Sequence, residues 1–308
     1  MKTCALALDW IIYAVARIFL FLVGILPRFV AYHVCGILAL VVYVFDRKHR
    51  KIGMINLNIA FPEKKRQWKK RILRHSYQQL GHQVVEISQM PWLTRQDVLN
   101  RVEYEEGRGI ENYLKVHEQD QPVLFMTAHM SSWEFLPTAH AFHGYPLSFV
   151  VRPLDNPFLE SWATQLRTRL GNRVIPKNNS IRQVLKTLRD GGDVGLLIDQ
   201  NSQERESVYV PFFGHMASTN AALATLALKT STPIVPGFMY PASRRGHYVI
   251  RFYPPIELVK SDDLEQDIVK GTTLLNCFVE EIIREYPHCW LWGHRRFQTQ
   301  SDGRDLYR

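Results

Sequence analysis

Two apolar runs open the chain. Residues 10–26 are apolar except for Arg17, and residues 29–45 are apolar except for His33. Each run holds 17 residues. As a helix of about 1.5 Å per residue it reaches about 26 Å, the lower limit for crossing a bilayer. Arg17 argues against a simple span, although its long stem lets the charge snorkel toward a head group. One run is expected to anchor the protein in a membrane. The other spans, lies in the interface, or packs on the remaining chain; two buried core helices are the alternative. Only Lys2 precedes Asp9 and no small-x-small cleavage site follows, which argues against a signal peptide.

Further on the pattern changes. Apolar residues at helical spacing (Ile72, Leu73, Tyr77, Leu80, Val84, Ile87) predict a long amphipathic helix over 63–89, ended by Pro91. Short apolar runs then alternate with amphipathic stretches. Strands are expected at 123–127, 147–151, 174–175, 194–198, 233–240 and 248–253. Helices are expected at 132–141, 156–170, 180–189, 219–229 and 263–286. This alternation predicts an α/β domain, a mostly parallel sheet flanked by helices, joined to an N-terminal membrane-anchoring helix. Residues 1–50 are read as the anchor with its interfacial helices and 51–308 as the catalytic domain.

Charge adds a second constraint. The chain has 308 residues and a net charge of +9, and such an excess attracts nucleic acid, anionic lipid or an acidic carrier protein. Basic clusters, Arg47 to Lys51 and Lys64 to Arg74, flank the apolar runs, a cytoplasmic signature drawn to anionic lipid. A solvated helix face gives the same pattern. No common nucleic-acid motif is present, so nucleic-acid binding rests on charge alone and is not expected. The cysteines, Cys4, Cys35, Cys277 and Cys289, form no CxxC pair and read as reduced thiols facing the cytosol.

Candidate chemistry gathers after the predicted strands, where open α/β sheets place working groups. His129 and Glu134 follow the strand at 123–127. A carboxylate holding one ring nitrogen leaves the other free to take a proton from a hydroxyl, so Glu134 is expected to orient His129 as a general base. Ser131 and Ser132 lack the glycines of a nucleophile elbow, which favours direct attack by an acceptor hydroxyl over an acyl-enzyme. Arg152, Arg167 and Arg169 are candidate phosphate ligands; two arginines at i and i+2 on a helix do not share a face, so one of the last pair is expected to reach the site. Asp199 and Gln200 end another buried strand and are candidate substrate contacts or structural polar groups. The run Trp290 to Phe297 mixes aromatics with cations and suits either a lipid–water interface or a lock on the core.

Taken together, Asn56 to Glu63, His129 to Glu134, Arg152-Pro153 with Asn156-Pro157 and Arg167, Asp199-Gln200, and Trp290 to Phe297 resemble the lipid A biosynthesis lauroyl/myristoyl acyltransferase family, from about residue 5 to 298. The resemblance implies a glycerolipid acyltransferase-like fold and an O-acyltransferase of the cell inner membrane with its catalytic domain on the cytoplasmic side. It implies acyl-acyl carrier protein as donor and a lipid A precursor as acceptor, with His129 as base and Glu134 as its partner. It implies Arg167 and Asp199 as further active-site positions, and no metal or prosthetic group. Acyl-CoA as donor to another glycolipid or aminolipid, or a thioesterase that gives the acyl group to water, are the alternatives. A catalytically silent membrane-binding protein is the third, against which the His129–Glu134 pair speaks.

Overall fold

The computed structural model describes residues 2–107, 109–177, 180–202, 207–300 and 303–307. The apolar runs fold as α1 (Lys2–Gly24) and α2 (Arg28–Phe45). Both helices are long and apolar enough to cross a membrane. α1 turns Leu8, Val15, Ile18 and Phe21 outward. Arg17, the charge within the first apolar run, turns toward the α/β domain. Its guanidinium lies 4.8 Å from the centre of the Trp162 ring, a cation–π contact that docks α1 on the α/β domain.

α3 (Arg47–Ala60) and α4 (Arg66–Gln89) follow. α3 was not expected as a helix; the Asp46 side chain caps it by accepting from the His49 amide. The chain then forms α5 (Arg95–Leu99), β1 (Val102–Tyr104), α6 (Glu111–His117), β2 (Leu124–Thr127), α7 (Leu136–Phe142), β3 (Ser148–Val151) and α8 (Pro157–Thr168). β4 (Arg173–Pro176), α9 (Ser180–Arg189), β5 (Val194–Leu197), β6 (Ser207–Phe212), β7 (His215–Asn220) and α10 (Ala222–Thr230) come next. β8 (Ile234–Pro241), β9 (Tyr248–Phe252) and α11 (Leu264–Glu285) close the order.

Seven strands form one sheet in the order β1-β9-β8-β2-β5-β3-β4. Only the β8–β9 pair is antiparallel, so β1 and β9 run against the other five strands. Successive side chains of the central strand feed opposite cores, as the two-residue period requires. Leu124, Met126 and Ala128 join the core built with α10, α11 and the segment after it. Val123 and Phe125 join the core built with α5, α6 and α7. The helix expected over 132–141 begins only at Leu136, and the β6–β7 hairpin takes the first residues of the helix expected over 219–229.

Candidate active site

The site is a product of strand register. β2 and β5 are parallel neighbours with Thr127 opposite Leu197. Two residues beyond those positions, His129 and Asp199 therefore emerge side by side. His129 Nδ1 lies 2.8 Å from Asp199 Oδ1, and the His129 amide donates to Oδ2 at 3.0 Å. The Trp290 indole Nε1–H donates to the same Oδ2 at 2.7 Å. Asp199 is only 1 % exposed. Burial pushes its carboxyl upward, but the adjacent His129 and the hydrogen bonds from His129 and Trp290 outweigh it and hold it at about 2. An ionised Asp199 can only accept, so Nδ1 carries a proton, and in the neutral form of the ring the lone pair lies on Nε2.

The carboxylate that holds His129 is thus Asp199, and the expected Glu134–His129 contact is replaced by another. Glu134 lies in the turn before α7 and grips Arg167 of α8 in a two-pronged pair, Nε to Oε2 at 3.0 Å and Nη2 to Oε1 at 2.7 Å. Burial alone lowers the Arg167 guanidinium, but Glu134 wins and raises it. Its third nitrogen, Nη1, is buried and has no hydrogen-bond partner among the described residues.

His129, Trp133, Glu134 and Arg167 line a pocket of about 830 Å³. Arg152 and Gln200 also face it, and Arg152 pairs with Asp155 at 3.1 Å on the exposed rim. Val184, Leu196, Ile198, Leu223 and Leu226 form its apolar floor. Two expected substrate contacts lie elsewhere. Arg169 points out of the pocket and donates to the carbonyls of Met90 and Pro91, as the i, i+2 spacing from Arg167 requires. Asp199 sits behind His129, too buried to meet a substrate. Ser132 donates to the Tyr248 hydroxyl at 3.0 Å and Ser131 is buried in the turn at φ 51°, so neither serine faces the pocket.

The aromatic–basic run after α11 is a strap across the back of the site. Trp290, Trp292 and Arg296 are fully buried, which favours the lock over the lipid interface. The Ser131 amide donates to Cys289 O, and the Leu291 amide donates to His129 O. Asn56 fixes the strap by donating to the carbonyls of Trp292 and His294, and Ser76 donates to Trp290 O. The Trp290–Asp199 contact is the part of the candidate site that sequence reasoning missed. Its signal was a buried indole N–H needing an acceptor, legible only once Asp199 lies opposite.

His294 belongs to the same strap and accepts from the Asn201 amide at 3.0 Å. Burial lowers its imidazole to about 4, and burial lowers the enclosed His140 to about 3. The ordinary value is 6.5. Between those limits the unfolded chain binds more protons than the folded one, so stability is full above pH 6.5 and falls as the pH drops toward 4. The thermal unfolding midpoint is expected to fall across that interval, and His294→Gln to flatten part of the fall. An unchanged slope in the variant would remove His294 from this account.

Residues 2–299 match the family described as bacterial lipid A biosynthesis acyltransferase. The chain is 27 % identical to a lipid A biosynthesis lauroyltransferase of Escherichia coli, over 92 % of this chain and 90 % of the relative. It is 24 % identical to a lipid A biosynthesis palmitoleoyltransferase of the same organism, over 84 % and 82 %. It is also 24 % identical to a lipid A biosynthesis acyltransferase of Haemophilus influenzae, over 85 % and 79 %.

Proposed function

The chain belongs to the bacterial lipid A biosynthesis acyltransferase family, and from that premise we propose that it moves a fatty acyl chain from acyl-acyl carrier protein onto a hydroxyl of a lipid A precursor. The observation that carries the chemistry is the His129–Asp199 pair, whose Nε2 has no partner among the described residues and lies at the edge of a pocket whose floor is apolar. The floor suits the donor's chain and sets the thioester beside His129. Nε2 takes the proton of the acceptor hydroxyl as its oxygen bonds to the carbonyl carbon. Arg167, held by Glu134 in the pocket wall, places its positive charge toward the oxygen that becomes negative. The C–S bond then breaks and the imidazolium returns its proton to the departing thiolate. Glu134 in this reading acts through Arg167. The partial exposure of His129 leaves room for a hydroxyl to approach.

The two apolar helices and the basic clusters beside them support an anchor within residues 1–50 at the inner membrane, with residues 51–308 as a cytoplasmic catalytic domain. The test uses the detergent-solubilised protein, acyl-acyl carrier protein and a Kdo-bearing lipid A precursor, with lipid mass as readout. One added acyl mass is expected, abolished in His129→Ala. Transfer only from acyl-CoA would replace the donor, and free fatty acid without lipid acylation would replace the reaction by hydrolysis.

A further inference from the structure

A second cavity, about 570 Å³, lies between α1, α2 and α4. Phe19, Leu38, Val42, Leu80 and Val84 make its walls apolar. Gly81 lets the helices meet behind it: a Cβ there would come within 2.5 Å of the Cys35 carbonyl oxygen. Several polar groups at its edge are already paired with protein partners. Asp46 accepts from His49 and Tyr77, and Ser76 donates to Trp290 O. A lining so largely apolar selects a hydrocarbon.

Its inner end is the strap. Leu291 and His294 line this cleft while their opposite edges hold the catalytic pocket. The Leu291 amide donates to His129 O at 3.1 Å, and His294 Nε2 accepts from the Asn201 amide at 3.0 Å, Asn201 being a wall of that pocket. The two cavities thus flank one thin segment, one hydrogen bond from the backbone of His129. The outer end opens at Phe19, Leu38 and Val42, each at least 40 % exposed and continuous with the apolar outer sides of α1 and α2.

We propose that this cleft holds one hydrocarbon chain already carried by the lipid acceptor and so brings the acceptor's hydroxyl to His129. The inference rests on the acyl-transfer reading above. Transfer between two amphiphiles needs two apolar compartments. The donor's chain comes on a soluble carrier and has the floor beneath His129. The second cleft opens where the flanking helices are apolar outward, the side from which a bilayer-resident molecule enters.

Leu80→Trp and Val42→Trp fill the cleft at half-buried and exposed positions that leave the core intact. Each is expected to raise KM for the acceptor about tenfold while donor KM moves less than about twofold and the order of donor chain lengths is kept. An unchanged acceptor KM, or a shift of preference toward shorter donors, overturns the proposal; the latter would give the cleft to the donor. A second arm reads occupancy without turnover. A lipid A precursor with a diazirine near one chain end, in nanodiscs, is expected to label peptides of α2 and α4 in the wild type and not in Leu80→Trp, even under excess phosphatidylglycerol. Labelling absent in an active enzyme, or competed away by that phospholipid, overturns the cleft alone. Labelling present with no acyl transfer overturns the proposed reaction and leaves the cleft standing.

Discussion

Asp199→Asn is expected to lower kcat by about 10²- to 10⁴-fold with little change in either KM. The geometry fixes how the amide must sit. Oδ2 accepts two fixed N–H groups, the His129 amide and the Trp290 indole. An asparagine has to place its carbonyl oxygen there, because its NH₂ would face two donors. Its NH₂ then faces His129 Nδ1 in the place of Oδ1. Nδ1 becomes the acceptor, the ring proton moves to Nε2, and the lone pair that takes the hydroxyl proton in the proposed reaction is gone. The variant therefore keeps its hydrogen bonds and loses the tautomer.

Glu134→Gln makes the useful contrast. A glutamine keeps one acceptor for Arg167 and leaves His129–Asp199 untouched, so its loss is expected to be smaller, about tenfold to a hundredfold. Single-turnover acylation measured on both variants separates the two carboxylates. If Glu134→Gln were the more damaging, Glu134 would regain the role of partner to His129 that its position in the sequence suggested.

That inversion shows where the sequence was legible. Periodicity placed β2 and β5, and with them His129 and Asp199 at strand ends. It could not pair them, because strand order is a long-range property: 70 residues separate partners that the β2–β5 register brings together. Glu134, five residues away, was the carboxylate within local reach. The choice between Arg167 and Arg169 was framed correctly by helix geometry, but its sign depended on where α8 packs. The hairpin of β6 and β7 was lost for another reason. Its strands form a small antiparallel pair outside the main sheet, with Pro211 within one run and the apolar pair Phe212-Phe213 at the turn. α3 was hidden because its basic first turn resembled a juxtamembrane cluster, while its function is to carry Asn56 to the strap.

Glu86→Ala is expected to cost about 3–5 kcal/mol of stability, because it removes one partner of a buried ion pair and strands the other. Glu86 and Arg101 are 0 % and 2 % exposed and meet at 2.8 Å. Glu86 also accepts from the Tyr32 hydroxyl, which lies 3.0 Å from the Tyr248 hydroxyl, and Tyr248 in turn accepts from Ser132. The Arg101 guanidinium stacks 4.7 Å above the Phe135 ring. The pair therefore joins α2, which carries Tyr32, to the turn that carries His129 and Glu134. Two guanidinium nitrogens of Arg101, Nε and Nη2, are already buried without partners among the described residues, and none of those residues brings them a spare acceptor for the lost carboxylate. Glu86→Gln keeps both acceptor contacts in part and is expected to fall between Ala and wild type. The double replacement Glu86→Leu with Arg101→Leu removes both charges and is expected to recover much of the loss. Thermal unfolding in detergent ranks the three. A double variant no more stable than Glu86→Ala would mean that the packing and hydroxyl contacts, rather than the stranded charge, dominate. Because Ser132 and Phe135 lean on this network, acylation by Glu86→Ala is also expected to fail at temperatures where the protein remains folded. That result would place the junction between the second apolar helix and the catalytic turn among the determinants of activity as well as of stability.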